Sequence, residues 1–139
     1  MPKLAASENL LRHYGVEGDL PAAEALADRI ANVVRLREHH LWEILRTLPS
    51  LAHARDDGEF RHLFRGLMER DDLAAASRTL VEAAHPACRI DRLDCIDGYW
   101  IVRILSEGPM RRTVAVHGDR VAAVMAALVA LDRPGPVKH

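Results

Sequence analysis

The chain has 139 residues with a formal net charge of −1 at pH 7, and 49% of its residues are hydrophobic while only 4% are aromatic. This length fits one domain that spans residues 1–139, and the apolar content excludes a disordered chain. Two cysteines exclude a disulfide scaffold, and no apolar run approaches the roughly 18–20 residues that a membrane span needs.

Basic residues are almost all arginines, since Lys3 and Lys138 are the only lysines among 19 Lys and Arg residues. A GC-rich genome explains both this bias and the abundant alanine, so we expect a bacterial protein. The first residues, MPKLAASENL, lack the apolar stretch of a signal peptide, and we therefore expect a cytoplasmic location. The small net charge gives no field that would attract nucleic acid or an anionic membrane.

The first part of the chain, residues 1–86, has the hydrophobic periodicity of helices. Ser7 can cap a short first helix for which Gly15 is a natural end. A second apolar stripe covers residues 21–48, which form either one helix about 42 Å long or two helices with a bend at 37–40. A single helix of that length would project from the domain and offer an interface.

Two further helices are predicted in this helical portion. Asp56 and Glu59 have the spacing of a capping box, because each side chain can satisfy a free backbone N–H group. An apolar face follows over residues 60–68, and Asp71-Asp72 then opens another helix that Pro86 halts. We therefore expect about four helices in this part of the chain.

The remaining part, residues 87–139, changes to the alternating pattern of strands. Residues 88–95 indicate a strand with a bulge, residues 99–105 are rich in β-branched and aromatic side chains, and residues 110–117 fit a returning strand. A last amphipathic helix follows. The predicted fold class is α+β, with a helical N-terminal portion, an antiparallel two- to three-stranded meander and a C-terminal helix.

Histidine is the one over-represented chemical residue type, with eight copies. Two of them close Glu-x-x-His units, and this spacing places a carboxylate and an imidazole on one helix face, where both can reach one metal ion. The preceding long helix can supply further ligands. The candidate ligands of a divalent metal are His40, Glu43, Glu59, His62, Glu82 and His85. Capping and surface roles explain the same residues, and we favour that interpretation, which predicts no cofactor.

Cys88 and Cys95 are separated by six residues, which matches no zinc or redox motif. We expect them to be buried free thiols that behave as small hydrophobes. Nucleophilic catalysis by either thiol would need a partner such as His117 on the neighbouring strand. Glycine-rich phosphate-binding motifs and the Gly-x-Ser-x-Gly motif are missing from the sequence.

The order helix, strands, helix in the C-terminal half is similar to that of double-stranded-RNA-binding modules. Those modules place a lysine cluster at the start of the last helix, whereas residues 117–121 contain one arginine and one aspartate. The candidate nucleic-acid-binding residues are Arg111, Arg112 and Arg120. The missing lysines and the few aromatic residues disfavour nucleic acid as the partner.

Binding without catalysis is the function that the sequence favours. We expect a homodimer formed through the long helix, a protein partner and no membrane association. The first alternative is an enzyme that uses a metal ion or His/Glu acid–base chemistry at a site among the helices. The second is a regulator that binds nucleic acid.

Overall fold

The computed structural model describes residues 15–107 and 110–132, with side chains from residue 22 onward. Within these ranges the fold is α+β, which confirms the predicted class. The α-helices are α1 (Gly15–Asn32), α2 (Glu38–Thr47), α3 (Ala52–Asp56), α4 (Gly58–Glu69), α5 (Leu73–Ala83) and α6 (Arg120–Asp132). A short 3-10 helix, Pro49–Leu51, precedes α3. The strands are β1 (Cys88–Ile96), β2 (Tyr99–Ser106) and β3 (Arg111–His117).

The apolar stripe over residues 21–48 forms two helices rather than one, and the break lies at 33–37, slightly before the predicted bend. At the break, the Leu36 side chain is buried and its N–H group donates to Asp119 Oδ2 at 3.1 Å, which fixes the segment between the two helices. An ion pair between Arg29 and Glu43 joins the two helices beyond the break. The projecting helix on which the predicted dimer depended therefore does not form.

One predicted helix end and one predicted helix start are corrected by the described residues. Gly15 begins α1 instead of ending a helix, and the helix predicted from Ser7 lies outside the described residues. The N-cap of α4 is Asp57 rather than Asp56, which is the last residue of α3. Asp57 Oδ1 accepts from the N–H groups of the second and third residues of α4, at 3.0 and 3.3 Å. The predicted start of α5 is confirmed, since Asp72 caps it.

The sheet is an antiparallel meander with the order β1-β2-β3. The register of β1 against β2 shifts between Ile90 and Arg92, which confirms the predicted bulge. Asp97 and Gly98 form the two-residue turn between these strands, and both have positive φ angles of 53° and 82°. An Asp-Gly pair with two positive φ angles is typical of the type I′ hairpin turn.

Helix α6 lies at the centre of the core, between the sheet on one side and α1 and α5 on the other. Eight of its 13 residues are buried. Its alanines Ala122, Ala123 and Ala127 are each 0% exposed, and such small side chains let neighbouring elements approach closely. A helix that is apolar on all sides is a buried helix, so the C-terminal element organises the packing of the rest. None of the helices in the described ranges is long and apolar enough to cross a membrane.

Candidate functional site

Two of the candidate metal ligands, His40 and Glu43, lie on α2 and are engaged by protein groups. The Nδ1 atom of His40 accepts from the Arg37 N–H group at 3.0 Å, which caps the helix. Burial lowers the pKa of His40, and the neighbouring His39 imidazole lowers it further. The neutral ring is the form that can accept a hydrogen bond at Nδ1. Glu43 is occupied by its ion pair with Arg29.

The other four candidate ligands are exposed and lie in two places. Glu59 and His62 are on α4, Glu82 is on α5, and His85 follows α5. The ring of His85 stands edge-on to that of His53 with 5.1 Å between the centroids, a pair that the sequence did not single out. Within the described ranges, no group of three His, Cys, Asp or Glu side chains is arranged to hold a metal ion.

The cysteines differ from each other in their surroundings. Cys88 is half-buried, and burial together with the carboxylate of Asp132 raises the pKa of its thiol to about 11, so the thiol is protonated at neutral pH. Cys95 is exposed, so the prediction that both thiols are buried is wrong for this residue. Cys95 opposes Trp100 on β2, and Trp100 opposes His117 on β3. Two strand spacings, about 10 Å, therefore separate this thiol from the imidazole.

The three candidate nucleic-acid residues lie in three different environments. Arg111 is on β3, and its Nη1 donates to the carbonyl oxygen of Leu131 at 2.6 Å. Arg120 begins α6 and lies over the Trp100 ring at 5.6 Å. Only Arg112 points away from the core. The structure therefore does not bring these three arginines onto one face.

A different set of arginines lies together on the side of the sheet that faces away from α6. The strand register and the alternating burial define this side, which we call the outer sheet face. Its residues are Arg89, Arg92, Asp94, Ile96, Tyr99, Ile101, Arg103, Leu105, Arg112, Val114 and Val116. The sequence pattern does not reveal this surface, because β2 carries apolar side chains on both of its faces and the two faces cannot be told apart from the pattern alone.

The outer sheet face leaves large apolar side chains in contact with solvent. Tyr99 and Val114 are each 57% exposed, and Val116 is 59% exposed. On the opposite side of the same sheet, Val102 and Ile104 are 0% exposed. Exposed apolar side chains that adjoin one another and are rimmed by polar groups are typical of an interaction site.

The charges of the outer sheet face are partly paired. Arg92 Nε donates to Asp94 Oδ2 at 2.5 Å, and Arg103 Nε donates to Asp91 Oδ2 at 2.6 Å. Arg89 and Arg112 both oppose Leu105, one from each side, and form a row across the three strands. Neither of these two arginines has an ion pair with a described residue. The face therefore has an apolar surface and a surplus of positive charge at one end.

No protein-family model, no curated protein and no solved structure matches this chain. Function is therefore inferred from the outer sheet face and from the chemistry of its residues.

Proposed function

We propose that this protein acts by binding a partner protein, and that the outer sheet face receives an amphipathic helix of that partner with acidic residues beside its apolar stripe. The observation that carries the proposal is the contrast within one sheet. Val114 and Val116 are more than half exposed on one side, whereas Val102 and Ile104 on the other side are completely buried. A helix of the partner would cover the outer sheet face in the way that α6 covers the opposite side of the sheet.

The dimensions of the outer sheet face support a single helix as the occupant. Three strands of seven to nine residues give a surface about 14 Å wide and about 25 Å long. A helix with its side chains is about 10–12 Å in diameter, so one helix of about 17 residues matches both dimensions. The flat area, roughly 350 Å², is well below the roughly 800 Å² per partner of a standard interface, which favours a weak and reversible complex.

The charges support an acidic helix rather than a second copy of this chain. Two outer sheet faces packed on each other would bring Arg89 and Arg112 of both copies into one small interface, where like charges repel. Glutamates on both sides of the apolar stripe can instead reach both arginines while the stripe covers Val114 and Val116. The cytoplasmic location expected from the sequence remains part of the proposal, and the homodimer becomes a competing outcome.

The test uses two designed 18-residue helical peptides that share one leucine stripe, flanked by glutamates in the first and by lysines in the second. We expect fluorescence anisotropy to show micromolar binding of the acidic peptide and at least tenfold weaker binding of the basic peptide, about 1.4 kcal/mol. The double variant Arg89→Glu with Arg112→Glu should reverse this preference. The matched control is Arg61→Glu with Arg78→Glu, which changes the same charge on exposed helix positions.

Several results would contradict the proposal. Equal binding of both peptides, or of neither, would exclude a charged helix as the occupant. A dimer at micromolar concentration that the variant Val114→Ser with Val116→Ser converts to a monomer would assign the face to self-association. Salt-dependent binding of generic RNA duplexes that Arg89→Glu with Arg112→Glu abolishes would assign it to nucleic acid.

A further inference from the structure

Strand β1 lies at one edge of the sheet, where it pairs with β2 and, within the described ranges, with no other strand. Seven of its nine residues are exposed. Leu93 is 39% exposed although it points to the inner side of the sheet, whereas Val102, the opposite residue on β2, is 0% exposed. An edge strand presents a row of backbone N–H and C=O groups that can pair with a further strand. The exposure of β1 leaves that row open to a partner.

The side chains of β1 have an order that is complementary to itself. Residues 89–94 read Arg-Ile-Asp-Arg-Leu-Asp. When two copies of this segment run antiparallel about a twofold axis between residues 91 and 92, every arginine opposes an aspartate and every isoleucine opposes a leucine. The opposing pairs are Arg89 with Asp94, Ile90 with Leu93 and Asp91 with Arg92. Opposite charges at facing positions stabilise a pair of strands, whereas like charges destabilise it.

The bulge in β1 makes this register geometrically possible. Side chains alternate between the two faces of a regular strand, so residues five positions apart lie on opposite faces, and facing residues of two paired strands must share a face. The register shift after Ile90 leaves Asp91 without an opposite residue on β2 and so changes the alternation. Arg89 and Asp94 therefore both lie on the outer sheet face, while Ile90 and Leu93 both point inward.

We propose that two copies of this chain pair through the free edges of their β1 strands. The strands run antiparallel about a twofold axis perpendicular to the sheet, and the three strands of each copy form one six-stranded sheet. Arg89 of each copy lies opposite Asp94 of the other, and Ile90 lies opposite Leu93. Each contact therefore occurs twice, as in any interface with twofold symmetry.

The charges of β1 select this partner over other strands. Charged side chains and bulges on an edge strand usually prevent further strands from pairing with it. A strand without matching charges leaves those of β1 unpaired, whereas a second copy supplies the opposite charge at each position. The opposite edge of the sheet does not have this property, because β3 contains two arginines but no acidic residue.

The ion pairs within one copy are compatible with this arrangement. Arg89 has no ion pair with a described residue, and the second copy brings a carboxylate beside it. Arg92 and Asp94 already pair with each other in each copy. The dimer therefore extends two isolated pairs into a network of alternating charges, and networks contribute more than single exposed pairs.

This dimer leaves the outer sheet face open and does not rest on the proposed helix partner. An axis perpendicular to the sheet places both outer sheet faces on the same side, so they do not meet as they would in face-to-face packing. Val114→Ser with Val116→Ser should therefore abolish binding of the acidic peptide and leave the dimer unchanged. Failure of one proposal is thus distinguishable from failure of the other.

The first test is sedimentation velocity of the full chain from about 5 to 500 µM. Six paired residues per copy extend only about 20 Å, so we expect a Kd of about 10–100 µM. Arg89→Asp and Asp94→Arg each place like charges opposite one another twice, and each should weaken the dimer at least tenfold. The control is Arg112→Asp, which makes the same change of charge on β3 and should dimerise like the wild type.

The second test recovers the dimer from the two weakened variants. The double variant Arg89→Asp with Asp94→Arg restores opposite charges at both positions, and so does an equimolar mixture of the two single variants. Both should dimerise to within about fivefold of the wild type. A chain that stays monomeric at 500 µM, or a dimer that both single variants retain, would overturn the proposal. Monomers in both the double variant and the mixture would do so too, because the loss would then not come from the paired charges.

Discussion

The two faces of the three-stranded sheet carry similar side chains but have opposite surroundings. On the inner face, Ile104 is 0% exposed under α6, whereas on the outer sheet face Ile96 is 48% exposed. Both residues are isoleucines in strands of the same sheet. The difference shows that the apolar pattern of a strand identifies an element but does not identify the face that the fold covers, and the uncovered face is where binding is inferred.

The largest effect is expected from truncating one isoleucine on each face. Ile104→Ala should lower the free energy of unfolding by about 2–5 kcal/mol, because it leaves a cavity in a packed core. Ile96→Ala should lower it by less than about 1 kcal/mol, because its side chain already contacts solvent. Urea unfolding measures both. Equal losses would mean that the outer sheet face is covered in solution.

The next largest effect is expected in the rates at which the two thiols, Cys88 and Cys95, are alkylated. Since the pKa of Cys88 is raised to about 11 and its Sγ donates to the Val81 carbonyl at 3.4 Å, native protein at pH 8 should react with iodoacetamide far more slowly at Cys88 than at the exposed Cys95. Raising the pKa of a thiol from 9.0 to about 11 lowers its thiolate fraction at pH 8 about 100-fold. Mass spectrometry of peptides measures the two rates, and both thiols should react alike in urea. Equal rates in the native protein would contradict the burial of Cys88.

A smaller difference in the free energy of unfolding is expected between variants of two aspartates, Asp119 and Asp94. Asp119 Oδ2 accepts from the Leu36 N–H group at 3.1 Å and from the Ala122 N–H group at 3.0 Å, so it caps α6 and holds the bend between α1 and α2. Asp119→Ala should cost about 1–3 kcal/mol. Asp94→Ala removes an exposed ion pair with Arg92 on the outer sheet face and should cost at most about 1 kcal/mol. Chemical denaturation compares the two variants, and a similar loss in both would contradict the role of Asp119.

The smallest effect is the pH dependence that His40 adds to the free energy of unfolding. Because burial lowers its pKa below 6.5, the unfolded chain binds a proton at this site at a pH where the folded chain does not. The free energy of unfolding should therefore fall as the pH drops below 6.5, down to the pKa of the folded state, and His40 should add no dependence above 6.5. His40→Gln should flatten this part of the profile, whereas His62→Gln, at an exposed position, should not. Identical profiles for both variants would contradict the prediction.

The sequence predicted the class of fold well because the periodicities are local. Asp72 starts a helix through a hydrogen bond from the Ala75 N–H group, only three positions along the chain. The break at 33–37 was predicted only as one of two possibilities, because the hydrogen bond that Leu36 makes there is to Asp119, 83 positions away. Contacts of that separation leave no periodic trace in the sequence.

The candidate site was less predictable than the fold. The histidines and the Arg111-Arg112 doublet became candidate site residues because of their residue types and spacings. Side chains alternate along a strand, however, so these two arginines lie on opposite sides of the sheet. Arg89 and Arg112 lie in one row only because both oppose Leu105, and this register depends on the bulge after Ile90. A surface built by strand pairing is recognised only when the register is known.

The central position of α6 has a consequence for synthesis of the chain. Helices emerge from the ribosome long before residues 120–132, yet the inner face of the sheet and α1 both pack on this last helix. A nascent chain that ends before Arg120 therefore exposes Val102 and Ile104 as well as the apolar stripes of the helices. The apolar side chains that pack on α6 therefore stay open to aggregation until residues 120–132 have been translated.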